Sequence, residues 1–125
     1  SGGVEPDLAT DAQLSLRRGE IVALPIEQTR ETAADGMLAT QLGDITFRYI
    51  CEYVDDIITV SEEEIRAAVR TLALDSRLVA EPSGAVTAAA LFNRRYELPS
   101  ARKIAAIISG GNVDPRLVAE ILSEG

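Results

Sequence analysis

The stretch Asp56-Ile57-Ile58-Thr59-Val60-Ser61-Glu62-Glu63-Glu64-Ile65 decides the fold. Its first five residues are mostly β-branched and predict a strand. Ser61 and Glu64 then stand at the spacing of a capping box. The Ser61 hydroxyl accepts from the Glu64 amide, and the Glu64 carboxylate reaches back to the Ser61 amide. Ile65, Ala68, Val69 and Leu72 follow as the buried stripe of a helix that ends near Arg77. A strand that runs straight into a capped helix is the repeating unit of a layered α/β fold.

The same order recurs on either side. Downstream, the short apolar Leu78-Val79-Ala80 leads into Glu81-Pro82-Ser83, with proline in the first turn of a helix reaching Asn93. Ile104-Ala105-Ala106-Ile107-Ile108 predicts a buried strand, and Asp114-Pro115 opens the last helix with Asp as N-cap. Upstream, Leu8, Ala12 and Leu16 predict a helix from Asp7 to Arg18, stopped by Gly19. Ile21 to Ile26 is broken by Pro25 and reads as loop or edge structure. Asp44 opens a further helix with Phe47, Ile50, Cys51 and Val54 on one face. The expected class is therefore α/β, a sheet layered between helices. Ligands of such sheets sit beyond the carboxyl ends of the strands.

Composition narrows the chemistry. The 125 residues amount to about one domain, with 46% apolar and 26% charged residues, the balance of a globular chain. Aromatics are 4%, so the core has to be aliphatic and alanine-rich. A net charge of −8 repels phosphate backbones and anionic lipid, which argues against nucleic-acid and membrane-surface partners. No apolar run is long enough to span a bilayer, and nothing resembles a signal peptide. The single cysteine, Cys51, has no intrachain partner, so a reduced cytoplasmic setting is expected. With no histidine and one cysteine, zinc sites, Ser-His-Asp triads and Cys-His dyads are excluded.

Three places could carry chemistry. At Ser109-Gly110-Gly111-Asn112 two glycines follow an apolar run, so the backbone can turn sharply or approach a ligand closely. The Ser109 hydroxyl can donate or accept. Asp114 already occupies the next helix's amides, so a hydroxyl meeting a neutral ring nitrogen fits better than an anion cradle. By spacing alone an ordinary glycine turn is the simpler reading, since the pattern matches neither a Walker loop nor a dinucleotide fingerprint. At Glu81-Pro82-Ser83-Gly84-Ala85 a carboxylate precedes a helix, either as a site residue or as a complement to the helix dipole. Glu5 and Asp11, with the Ala9 carbonyl between them, offer oxygen ligands suited to Mg²⁺, Mn²⁺ or Ca²⁺. By chemistry alone, acids at a helix start are more often simply solvated.

Several segments in order resemble the C-terminal region of fold-type II pyridoxal-phosphate enzymes. They are Gly3-Val4-Glu5-Pro6, Thr32-Ala33-Ala34-Asp35-Gly36, Thr46-Phe47, Val54 to Ile65, Glu81-Pro82-Ser83-Gly84-Ala85 and Ser109 to Asp114. The resemblance is to the serine racemase, serine/threonine dehydratase and threo-3-hydroxyaspartate dehydratase group. It implies part of the large domain of a tryptophan-synthase-β-like fold, a three-layer sheet with helices on both faces. It further implies pyridoxal 5′-phosphate as cofactor, with Ser109 and Gly110 at the pyridine nitrogen and Glu81 and Gly36 beside the ring. Glu5, Ala9 and Asp11 match a divalent-metal site of racemase-like members. Asn112 and Arg77 fall where some racemases contact a nucleotide, although Arg77 replaces a lysine there.

The resemblance also sets expectations about what the chain lacks. Neither the Schiff-base lysine in its Ser-Phe-Lys context nor the phosphate-binding tetraglycine loop has a match here. The lone lysine, Lys103, stands in a different context. The chain is thus expected to be the C-terminal part of a catalytic domain, with no regulatory domain and no activity by itself. The implied parent reaction deaminates L-threonine or L-serine to a 2-oxo acid and ammonia. Serine racemisation and hydroxyaspartate dehydration are the alternatives, and an inert association fragment with at most metal binding is the alternative of another class. A homo-oligomer, or self-association through a truncated interface, is expected.

Overall fold

The computed structural model describes residues 1–101 and 103–125. Strands β1 (Gly2–Pro6) and β2 (Asp56–Val60) pair in parallel, with Gly2 opposite Asp56 and Pro6 opposite Val60. The crossover between them carries helices α1 (Asp11–Arg18), α2 (Ile26–Thr29) and α3 (Asp44–Tyr53), with a 3-10 turn at Asp35–Met37. Beyond β2 come α4 (Glu62–Asp75), α5 (Pro82–Asn93), a 3-10 turn at Arg95–Glu97 and α6 (Pro115–Ser123).

Alternation along β2 sets the layers. Ile58 and Val60 enter the main core with Ile65, Val69 and Leu72 of α4, the alanines of α5 and Ile121 of α6. Ile57 is buried outside that cluster, and its carbonyl accepts a 2.7 Å hydrogen bond from Gln13 Nε2 of α1. By the two-residue period of a strand it faces the other way. The pair of strands thus lies between α5 on one face and α1 on the other, as the α/β reading requires. Ala68, Ala85, Ala88, Ala89 and Ala90 are all buried, and these small side chains let α4 and α5 pack closely.

The predicted caps form. The Ser61 hydroxyl accepts from the Glu64 amide at 3.1 Å, and the Ser61 amide donates to Glu64 Oε2 at 2.9 Å. Asp114 accepts from the Arg116 amide at 2.8 Å at the start of α6. Gly19 ends α1 in the left-handed region, with its amide on the Ser15 carbonyl.

Four expectations need correction. Helix α1 begins at Asp11 rather than Asp7, because the Glu5 carboxylate on β1 captures the amides of Ala12 and Gln13 and residues 7–10 form the turn between. Cys51 is exposed, while Phe47, Ile50 and Val54 are half-buried on the face of α3 that meets α1. Helix α4 stops at Asp75, with Arg77 beyond it at φ 58°.

The last correction is the largest: residues 104–108 form no strand. Thr87 Oγ1 donates to the Ile107 carbonyl at 2.6 Å, so the segment is held by α5. A cleft of about 680 Å³ separates it from the free edge of β1, and Ile107 is 77% exposed. A strand exists only by pairing, and no described strand lies within reach of this one.

Candidate functional site

The first turn of α5 and the turn at residues 109–111 are built against each other. The Glu81 amide donates to the Gly110 carbonyl at 3.2 Å, and the Ser109 amide donates to the Gly84 carbonyl at 3.4 Å. A Cβ on Gly84 would stand 1.4 Å from the Ser109 carbonyl oxygen, so only glycine admits this approach. Gly110 has φ +72°, and a Cβ there would meet Glu81 Oε1 at 1.9 Å. The Glu81 carboxylate therefore lies directly on the Gly110 backbone. The Ser109 side chain stays exposed beside them.

A third segment joins from the crossover. The Gly36 amide donates to Ser83 Oγ at 2.8 Å, which ties the Asp35–Met37 turn to the start of α5. That turn is anchored from behind by Glu62, whose carboxylate accepts from the Thr32 hydroxyl and, at 2.7 Å, from the Ala33 amide. Thr32 Oγ1 in turn accepts from the Ala34 amide at 3.2 Å. Gly36, Glu81, Ser109 and Gly110, separated in sequence, thus share one corner at the carboxyl-end side of the fold. Sequence reasoning missed the roles of Ser83, Glu62 and Thr32. A glutamate in the first turn of α4 carries no local signal beyond complementing the helix dipole.

Around Glu5 the chemistry differs. Both carboxylate oxygens are engaged, Oε1 by the Ala12 amide at 3.0 Å and Oε2 by the Gln13 amide at 2.9 Å. Burial without a cationic partner nevertheless pushes its pKa from 4.5 up to about 7, against the lowering effect of those amides, and Asp11 adds like-charge repulsion. Burial raises Asp11 as well. Ala9 is buried between them, and its carbonyl accepts no hydrogen bond among the described residues. Two carboxylates and a free carbonyl are a hard-oxygen donor set, although the described residues contain no cluster of three or more metal-ligating side chains.

The remaining candidates lie apart from these centres. A Cβ on Gly111 would meet the Val79 carbonyl at 2.9 Å, so the loop bearing Asn112 runs beside the one bearing Arg77, and both side chains are exposed. Lys103 is exposed at the cleft beside β1, away from the start of α5.

Comparison with known proteins places the chain in a family. A family model described as pyridoxal-phosphate dependent enzyme matches residues 2–110, and the chain belongs to that family. Serine racemase of Schizosaccharomyces pombe is 43% identical over 98% of this chain, and L-threo-3-hydroxyaspartate ammonia-lyase of Saccharomyces cerevisiae 40% over 97%. The crystal structure of a T.th. threonine deaminase superposes on 90% of this chain with a TM-score of 0.82 at 42% identity, covering 40% of that chain. The chain spans about 36% of the length of the two curated relatives.

Proposed function

We propose that this chain supplies one wall of the cofactor pocket of a pyridoxal-phosphate-dependent ammonia-lyase that deaminates L-threonine or L-serine. The observation that carries this reading is the convergence of Gly36, Glu81, Ser109 and Gly110 at the start of α5. The residues fit the group. An exposed hydroxyl stands on a glycine turn, beside a carboxylate that lies against the Gly110 backbone, with no acid at the Ser109 position.

When bound, the cofactor supplies the electron sink for carbanion chemistry at the amino acid's α-carbon. The Ser109 hydroxyl would hydrogen-bond the pyridine nitrogen without protonating it, which moderates that sink and favours elimination or racemisation. Glu81 would flank the ring, its carboxylate lying against the Gly110 backbone. The Gly36 backbone, braced through Ser83 and Glu62, would close the side of the pocket. The lysine that attaches the cofactor, and the glycine loop for its phosphate, would come from polypeptide outside these 125 residues.

The test compares two proteins. The 125-residue chain should release no 2-oxo acid from L-threonine, L-serine or threo-3-hydroxyaspartate in the presence of the cofactor. In a longer polypeptide that contains the chain and turns over, Ser109→Ala should lower kcat about 10- to 100-fold, the rate equivalent of one lost hydrogen bond of about 1.5–3 kcal/mol. Turnover by the isolated chain, or an unaffected Ser109→Ala enzyme, would overturn the proposal. A racemase or hydroxyaspartate lyase is the second reading, favoured by relatives of those activities at 43% and 40% identity. Measuring D-serine alongside 2-oxo acid separates the outcomes.

We further propose that Glu5, Asp11 and the Ala9 carbonyl take a divalent cation. The support is two buried carboxylates without a compensating cation, one of them pushed up to about 7. Titration calorimetry with Mg²⁺, Mn²⁺ and Ca²⁺ measures it, and absence of both heat and a melting shift would return these residues to a capping role. No helix of the described residues is long and apolar enough to cross a membrane. The cytoplasm is the proposed compartment, supported by the single unpaired Cys51.

A further inference from the structure

Thr32-Ala33-Ala34-Asp35-Gly36 lies in the crossover outside any long helix or strand, yet every amide from Ala33 to Met37 is engaged. The Ala33 amide donates to Glu62 and the Ala34 amide to Thr32 Oγ1. The Asp35 amide donates to the Ala33 carbonyl at 3.0 Å, and the Met37 amide to the Ala34 carbonyl at 2.8 Å. The Gly36 amide donates to Ser83 Oγ. Three of these bonds close locally, and two reach other elements. One leads to the first turn of α4 through Glu62, the other to the first turn of α5 through Ser83.

The two ties differ in kind. Thr32 and Ala34 are buried, so Glu62 holds the end of the segment that is packed into the core. Asp35 and Gly36 are exposed. Water serves an exposed amide nearly as well as a hydroxyl does, so the Gly36–Ser83 bond adds little stability. What it fixes is position. Among the described residues it is the one hydrogen bond from this segment to the start of α5, where Glu81 and Gly84 meet the 109–110 turn. The approach is close, since a Cβ on Gly36 would stand 2.9 Å from Ser83 Oγ.

We propose that Ser83 is a positioning residue, whose hydroxyl holds Gly36 against the corner formed by Glu81, Ser109 and Gly110 before a ligand arrives. The inference rests on the reading of that corner as a wall of the pyridoxal-phosphate pocket. A serine suits the task, because its hydroxyl accepts from an amide at the end of a short side chain. Held this way, the wall is ordered in advance, and binding does not have to order it. Released, it is correctly placed for only a fraction of the time, and the affinity for the cofactor falls by that fraction.

Two measurements on Ser83→Ala test this, with Ser83→Thr as the variant that keeps the hydroxyl. In the 125-residue chain, followed by NMR, the Gly36 amide should exchange with solvent at least ~10-fold faster in Ser83→Ala. The Ala33 amide, held by Glu62, should keep its rate, and the melting temperature should hardly move. In a longer polypeptide that contains the chain and turns over, Ser83→Ala should raise the Kd for pyridoxal 5′-phosphate about 10-fold, as for a wall correctly placed about a tenth of the time. Its kcat at saturating cofactor should fall less than that of Ser109→Ala. Ser83→Thr should restore both the exchange rate and the Kd. A Gly36 amide that keeps its wild-type rate in Ser83→Ala overturns the inference. So does an unmoved Kd, a Ser83→Thr protein no better than Ser83→Ala, or a large fall in melting temperature, which would make Ser83 a structural residue. An unaffected Ser83→Ala enzyme beside an impaired Ser109→Ala enzyme removes only the positioning role. Unaffected enzymes in both cases remove the pocket reading beneath it.

Discussion

The Ser109 carbonyl occupies the space where a Cβ on residue 84 would have to stand, 1.4 Å away. Because the obstacle is backbone on both sides, no rotamer change relieves it, and the turn at 109–110 has to move. Gly84→Ala should therefore cost about 2–3 kcal/mol, the upper range for overpacking, read from thermal melts. It should also expose the 109–111 turn to proteolysis. Gly110→Ala meets a side chain, Glu81, which can swing away, but its φ of +72° adds backbone strain of about 1–2 kcal/mol. The two substitutions should cost similar amounts for different reasons, and Glu81→Ala should ease only the second. Local sequence showed that these residues sit at junctions, because proline, glycine and Asp caps act within one turn. It could not show that Glu81 and Gly110 touch, since that contact is made by tertiary packing. The same holds for Glu62, whose carboxylate reaches Thr32 and Ala33 across the fold.

The start and the buried stripe of helix α4 were legible because everything that starts it lies within its first turn and its core stripe has one period. Residues 104–108 were not, because an apolar run predicts burial but only a neighbouring edge makes a strand. Helix α3 sits between these cases. Its period is readable, yet the sequence does not say which of its two apolar stripes the protein covers. Assigning Cys51 to the inner face was an error with that cause, since Ile45, Tyr49 and Tyr53 form a second, exposed apolar row on the same helix. The capping box of α4 also does more than its motif states. Glu64 Oε2 accepts from the Ser61 amide and from Arg94 at the end of α5, so a single carboxylate fastens the two core helices. Ser61→Ala should cost about 1 kcal/mol, the usual loss of an N-cap. Glu64→Ala should cost more than that, because it also leaves Arg94 without its interhelical partner. Urea unfolding of the two variants measures the difference, and equal losses would mean that Arg94 contributes nothing.

For the molecule as a whole, the buried pair Glu5 and Asp11 makes stability depend on pH in an unusual direction. Glu5 titrates near 7 in the folded chain and near 4.5 when unfolded, so between those values the folded state holds a proton that the unfolded state has released. Its contribution is fully present below about pH 4.5 and is lost as pH rises through 7. Asp11 is shifted the same way and reinforces the trend. In the presence of a chelator, the chain should lose about 2 kcal/mol between pH 5 and pH 8, a figure already discounted for solvent screening. Glu5→Gln should flatten this part of the profile, since the amide does not titrate. A divalent ion needs the ionised carboxylates, so it competes with the proton and acts where the proton has left. Mg²⁺, Mn²⁺ or Ca²⁺ should therefore raise Tm strongly at pH 8 and little at pH 5, and not at all in Glu5→Gln. A profile that rises from pH 5 to pH 8 without metal would mean that Glu5 is ionised throughout. Its two amide hydrogen bonds would then outweigh its burial.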